Sequence, residues 1–167
     1  MNITLIGMPG SGKSSVGREL AERLDYNFFD IDEIIEEKTG LRLQQIIDKF
    51  GDEEFLKIEE KAILELGELE DSVIAPGGSI IYCTEAMKFL KRISTIVFLN
   101  SSFKNIQRRL ANRDARGIVG LKKKDLRTLF DERMILYKKY ADIEVEMPEK
   151  LDFDFVIKTI IQKISEK

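Results

Sequence analysis

Residues 7–14 read Gly-Met-Pro-Gly-Ser-Gly-Lys-Ser, and they satisfy every fixed position of the pattern G-x-x-x-x-G-K-[ST]. The flanks restrict the fold further. Asn2-Ile3-Thr4-Leu5-Ile6 is a β-prone run, and a helix from Ser14 to Leu24 would carry Val16, Leu20, Ala21 and Leu24 on one face. A strand, a glycine-rich turn and a helix N-terminus together form an anion site. Gly7, Gly10 and Gly12 admit backbone conformations that a side chain resists, so the amides of the turn can point inward at phosphate oxygens. The pattern predicts a bound nucleoside triphosphate, with Lys13 at the β- and γ-phosphates and the Ser14 hydroxyl on Mg²⁺.

Downstream, strand and helix patterns alternate. Tyr26–Asp30 reads as a second strand ending in Asp30-Ile31-Asp32, and Asp32 is placed to cap a helix from Glu33 to Lys38, closed by Gly40. Leu43 to Phe50 has helical spacing. Gly51 interrupts it, and Asp52-Glu53-Glu54 opens a second helix reaching Leu66. Ser72–Ala75 and Thr95–Leu99 are short apolar strands, with a helix over 84–91 between them. Further helices are predicted over 103–110, 124–140 and 151–164, with an alternating strand over 143–146. Residues 112–121 carry two glycines and two arginines and no periodic apolar face, which predicts a mobile loop. With no long linker and no internal repeat, the pattern predicts one α/β domain over 1–167. Its layers are a five-stranded, mainly parallel sheet with helices on both faces. In such folds the strands' C-terminal edge bears the site, which gathers residues 7–14, 30–32 and 76–79 on one rim.

Composition excludes several alternatives. Twenty-seven basic and thirty acidic residues are interspersed, giving a net charge of −3, so neither a nucleic-acid nor a membrane partner is expected. No apolar run reaches the ~18 residues of a membrane span. Cys83 is the only cysteine and histidine is absent. A disulfide framework is thereby ruled out and a zinc site disfavoured, and a reducing cytoplasm is the expected setting for a monomer acting on small molecules. Acid–base work falls to carboxylates, Lys or Tyr.

Asp30 and Asp32 admit two readings. Either they serve as a strand end and a helix cap, or they face the phosphates, one orienting Mg²⁺ waters and the other taking a proton from an acceptor hydroxyl. Gly77-Gly78 is either a close approach to a ligand or a tight turn. Arg109, Arg113 and Arg116 border the loop that would close over the nucleotide. Arg133 is flanked by Leu129, Leu136 and Tyr137, so it is expected to be partly buried with a carboxylate partner, internal or from a substrate.

Over nearly its whole length the chain resembles the shikimate kinase family, small P-loop kinases with a nucleoside-monophosphate-kinase-like fold. The resemblance rests on Gly7–Ser14, Phe29-Asp30-Ile31-Asp32, Gly51-Asp52-Glu53-Glu54-Phe55-x-x-Ile58-Glu59, Gly77-Gly78, the loop bearing Arg116, and Glu132-Arg133-x-x-x-Tyr137. It implies transfer of the ATP γ-phosphate to the 3-hydroxyl of shikimate. By resemblance Lys13, Asp32 and Arg116 would be catalytic. Gly10, Ser11, Gly12, Lys13, Ser14, Ser15, Arg109 and Arg116 would hold ATP. Asp32, Gly77, Gly78 and Arg133 would hold the acceptor, Arg133 through its carboxylate. Ser14 would ligate Mg²⁺, with Asp30 supporting the ion through water. The resemblance also implies a lid over 112–124 and a substrate-binding helical segment over 32–60.

Three positions depart from the family pattern. Where the family has an arginine that grips the shikimate carboxylate, this chain has Leu56. That loses a charge-assisted contact of about 1.5–3 kcal/mol. Pro76 replaces the first glycine of a triplet, and Gly117-Ile118 follows Arg116 where the family has Pro-Leu, which predicts a looser hinge. The departures favour, as an alternative acceptor, another hydroxylated metabolite lacking a carboxylate. A nucleotide-sensing module without turnover is opposed by the intact Lys13, Ser14, Asp30 and Asp32.

Overall fold

The computed structural model describes residues 1–111 and 117–167. Five strands, β1 (Asn2–Ile6), β2 (Asn27–Asp30), β3 (Ser72–Ala75), β4 (Thr95–Asn100) and β5 (Ile143–Glu146), form one sheet in the order β2-β3-β1-β4-β5. Every pairing is parallel, with Ile6 opposite Phe98 and Asp30 opposite Ala75. The helices are α1 (Lys13–Leu24), α2 (Ile31–Thr39), α3 (Leu43–Leu64), α4 (Thr84–Ile93), α5 (Phe103–Ala111), α6 (Leu126–Tyr140) and α7 (Phe153–Ser165).

Because successive strand residues point to opposite faces, the sheet builds two cores. Ile3, Leu5, Val73, Val97 and Leu99 meet Val16 and Leu20 of α1 and Val156, Ile157 and Ile160 of α7. Ile6, Ile74, Ile96 and Phe98 meet residues of α2, α3, α4 and α6. Helices therefore cover both faces, and the residues after β1, β2 and β3 emerge together at one edge. Among the described residues, no helix is long and apolar enough to cross a membrane.

Two local expectations are corrected. Asp30, not Asp32, caps α2: its Oδ1 accepts from the amides of Asp32 and Glu33 at 3.1 and 3.3 Å. Helix α2 therefore starts two residues earlier than expected, and Asp32 is left within its first turn. Helix α6 starts at Leu126 rather than Lys124, because Asp125 accepts from the Thr128 amide at 2.7 Å and fixes the N-terminus there. Gly51 does interrupt the α3 segment: at φ 85° and ψ 168° it joins two helical stretches across a kink.

Candidate active site

The loop after β1 and the first turn of α1 form the floor of a cavity of about 100 Å³. Pro9, Gly10, Gly12, Lys13, Ser14 and Ser15 line it on this side. Gly10 and Gly12 lie at φ 83° and 96°, in the left-handed region that glycine occupies without strain. Gly12 precedes α1 with no side-chain cap, so the first amides of the helix remain unspent on a cap. Ser11 is fully buried behind the turn and does not line the cavity; its Oγ has no partner among the described residues.

Lys13 folds back over its own turn, donating to the carbonyls of Gly7 and Met8 at 2.8 and 3.0 Å. Burial pushes its ammonium down to about 8, against the opposing pull of Asp32 and Asp30. Arg109, from α5, donates to the Gly10 carbonyl at 2.9 Å and braces the turn from the outside. Arg116 and Arg113 lie outside the described residues.

The opposite wall comes from α2, from the loop after β3 and from α6. Asp32, Pro76, Gly77, Gly78, Ser79 and Arg133 all line it. The glycine pair packs closely against other parts of the protein. A Cβ on Gly78 would stand 2.7 Å from Pro9 Cδ, and one on Gly77 would collide with the Glu59 carboxyl. Tyr137, stacked on Phe98, fixes the strip by donating to the Gly78 carbonyl at 2.7 Å. Asp30 is buried below the rim as the α2 cap and does not line the cavity. The two acids are thus separated in role: one organises the turn and the other faces the cavity.

Arg133 is more buried than its sequence neighbours suggest, at 1% exposure. Among the described residues it makes no ion pair. It donates from Nη2 to the Val119 carbonyl at 2.8 Å, lies over the Tyr82 ring at 5.4 Å, and has no partner at Nε. A buried guanidinium with an unspent donor beside a cavity is a ready site for an anionic or hydroxyl oxygen. Leu56 does not line the cavity. It packs half-buried against the core, and its carbonyl meets the Cys83 Sγ at 3.5 Å.

Of the predicted lid, residues 112–116 lie outside the described residues. The following arm is seated on α3. Gly117, Ile118 and Val119 line the cavity, and the Gly120 amide donates to Asp52 at 3.0 Å. Gly117 sits so close to α3 that a Cβ would stand 2.8 Å from backbone atoms of Leu43 and Gln44. The missing side chain serves close packing here rather than only hinge freedom.

Sequence reasoning missed the pair Ser79 and Glu59. Ser79 Oγ donates to Glu59 Oε2 at 2.6 Å, and Glu59 is fully buried. Burial, then the neighbouring Asp32 charge, pushes the Glu59 carboxyl up to about 7. The sequence carries Glu59 in the Phe55-x-x-Ile58-Glu59 motif and Ser79 on the rim, but nothing in it joins the two.

The site is a phosphate-binding turn facing a carboxylate and a buried cation across a small cavity, with a glycine strip between them. Such a turn positions a triphosphate so that its terminal group points at whatever the opposite wall holds. Comparison with known proteins agrees. The family model for shikimate kinase matches residues 9–166. The shikimate kinase of Thermodesulfovibrio yellowstonii is 38% identical over 155 residues, covering 90% of each chain. That of a Sulfurihydrogenibium species is 32% identical over 166 residues, covering 99% of each. Among solved structures, the shikimate kinase of Acinetobacter baumannii in complex with shikimate superposes with a TM-score of 0.86 at 32% identity. The match covers 99% of this chain and 94% of that one. The Aquifex aeolicus enzyme gives 0.84 at 34% identity, covering 99% and 96%. A more distant deoxyadenosine kinase, at 18% identity and a TM-score of 0.60, shares the fold. With a carboxylate and a buried cation facing its phosphate turn, this chain belongs to the shikimate kinase family and is a phosphotransferase acting on an alcohol acceptor.

Proposed function

We propose that the protein transfers the γ-phosphoryl group of ATP to the 3-hydroxyl of shikimate. The observation that carries this reading is Arg133, a buried cation with an unspent Nε, set on the same cavity wall as Asp32 and facing the phosphate turn. The solved relative from Acinetobacter baumannii, which holds shikimate, supports the choice of acceptor.

In this reading Asp32 binds the acceptor hydroxyl and takes its proton as the acceptor oxygen bonds to phosphorus and the bond to ADP breaks. Arg133 pairs with the acceptor carboxylate, and Gly77 and Gly78 let the ring lie against backbone. Lys13 leaves the Gly7 and Met8 carbonyls for the phosphate oxygens. The amides of Gly10 and Gly12 and the first turn at Ser14 and Ser15 cradle the triphosphate, while the Ser11 amide holds the turn closed by donating to the Met8 carbonyl at 3.0 Å. Arg109 and Arg116 complete the nucleotide side. The residues present also fit a divalent ion. Ser14 is on the cavity wall, and Asp30 spends only Oδ1 on the α2 amides, so an all-oxygen donor set suited to Mg²⁺ is at hand. Bound there, the ion would neutralise charge on the phosphates, with Ser14 as ligand and Asp30 acting through water.

Leu56 supports a second reading, a related acceptor without the carboxylate, because the wall then offers one guanidinium rather than two. A coupled assay of ADP release against shikimate, quinate, dehydroquinate and simple polyols separates the two. Turnover of shikimate well above background is expected; none at millimolar levels would overturn the first reading. Asp32→Asn is expected to abolish transfer while sparing ATP binding.

A further inference from the structure

Glu59 sits behind the glycine strip, fully buried on α3, and its two oxygens differ. Oε2 accepts from Ser79 at 2.6 Å; Oε1 has no partner among the described residues. Oε1 approaches the space that a side chain on Gly77 would fill. A Cβ built there collides with Glu59 Oε1 and stands 2.9 Å from Asp32 Oδ1. The bare backbone of Gly77 thus lets a carboxyl from α3 and a carboxyl from α2 flank one point.

The charged and titratable groups facing Glu59 are Lys13 from α1, Asp32 from α2, Arg133 and Tyr137 from α6, and Cys83 at the start of α4. None of the cations among them pairs with Glu59 within ion-pair distance. Two carboxylates at such close quarters do not both ionise readily. In the neutral acid, Oε2 is already the acceptor for Ser79, so the proton belongs on Oε1, the oxygen beside Asp32.

We propose that Glu59 is a positioning residue for phosphoryl transfer: its Oε1 proton steadies the Asp32 carboxylate for the acceptor hydroxyl, and Ser79 decides which Glu59 oxygen bears that proton. This rests on the reading of Asp32 as the group that takes the acceptor proton. During transfer that proton passes to Asp32, and Glu59 keeps its own. Once Glu59 ionises, Asp32 loses a donor and gains a neighbouring anion, and the transfer rate falls.

The test is the pH profile of kcat/KM for shikimate at saturating MgATP, between pH 5.5 and 9, because this ratio reports the protein before the acceptor binds. The wild-type ratio is expected to fall as Glu59 ionises, with an inflection near pH 7. Glu59→Gln should lack that inflection. Ser79→Ala, which removes a bond favouring the anion, should move it to higher pH. An unchanged inflection in both variants would assign Glu59 to packing alone and overturn the proposal. A second arm needs no acceptor. In protein labelled with ¹³C at glutamate carboxyls, the Glu59 resonance is identified by its loss in Glu59→Gln. Its titration should move to lower pH in Asp32→Asn, and an unmoved titration would overturn the proposal. A coupled titration combined with no turnover of shikimate would support the pairing and overturn only the choice of acceptor.

Discussion

Arg133 donates its Nη2 hydrogen to the carbonyl oxygen of Val119 at 2.8 Å. One buried side chain therefore ties the cavity wall to the arm over residues 117–120, and the seating of that arm on α3 bears directly on the cavity. The first two predictions follow from this link.

Gly117→Ala places a methyl group 2.8 Å from the backbone of Leu43 and Gln44, atoms that no rotamer change can move. The arm must lift by a fraction of an ångström, carrying Val119 away from Arg133. We expect KM for the acceptor to rise about 10-fold, the scale of a weakened hydrogen bond at about 1.4 kcal/mol. Thermal stability should change little. Initial-rate kinetics with a thermal melt reads both.

Asp52 and Lys122 both hold the arm to α3 but unequally. Asp52 Oδ2 accepts the Gly120 amide at 3.0 Å in a partly buried setting, whereas Lys122 meets Asp48 at 2.8 Å in the open. Removing the first strands an amide, at about 1–3 kcal/mol; removing the second loses a screened surface pair. Asp52→Ala should raise hydrogen exchange at the Gly120 amide by 10-fold or more, and Lys122→Ala should leave it nearly unchanged.

Much of this architecture is legible in the sequence, for reasons of range. The strands and the phosphate turn are specified by runs of four to eight residues, and all five strands fall where the apolar runs put them. What local pattern could not resolve was which of Asp30 and Asp32 caps α2. Both are one-turn candidates, and the choice is made by where β2 ends against β3. Ser79 and Glu59 lie twenty residues apart, and their bond exists only because α3 packs behind the strip after β3. Gly117 reads as freedom in sequence because only the folded chain shows Leu43 and Gln44 against it. That Arg133 makes no ion pair among the described residues is likewise a tertiary fact.

Lys13 gives a pH signature on the nucleotide side. Its ammonium, pushed down to about 8 by burial, loses its proton as pH rises through that value, and with it the charge that meets phosphate. Because kcat/KM reports the free enzyme, its value for ATP should fall above pH 8. In the nucleotide complex the phosphates favour the charged form, so the same limb in kcat should lie at higher pH. Lys13→Met should abolish the limb and lower kcat by ~10²–10³-fold, as expected for loss of a charge that stabilises the transferring group.

Glu59 predicts a stability effect of definite sign. Its carboxyl is pushed from 4.5 up to about 7, so the folded protein binds this proton more tightly than the unfolded chain. The contribution is fully present below pH 4.5 and is lost as pH rises through 7. Its upper bound is about 3 kcal/mol. Relative to wild type, Glu59→Gln should therefore gain stability as pH rises from 4.5 to 7.5. Denaturant unfolding of both proteins across that range measures the difference, and a constant difference would contradict it.

Leu56→Arg tests how the acceptor wall was rebuilt. Position 56 is three residues before Glu59, hence on the same side of α3. An arginine there would have two candidate partners, the Glu59 carboxyl and the carboxylate of an acceptor bound beside Arg133. If shikimate is the acceptor, the restored cation should lower its KM by ~10- to 100-fold, the equivalent of about 1.5–3 kcal/mol, with little change in kcat. Paired with a cation, Glu59 would ionise at lower pH, so the inflection near pH 7 should move down in the same variant. A lower KM without a moved inflection would mean that the arginine reaches the acceptor alone. A moved inflection with an unchanged KM would mean that the wall is built for an acceptor without a carboxylate.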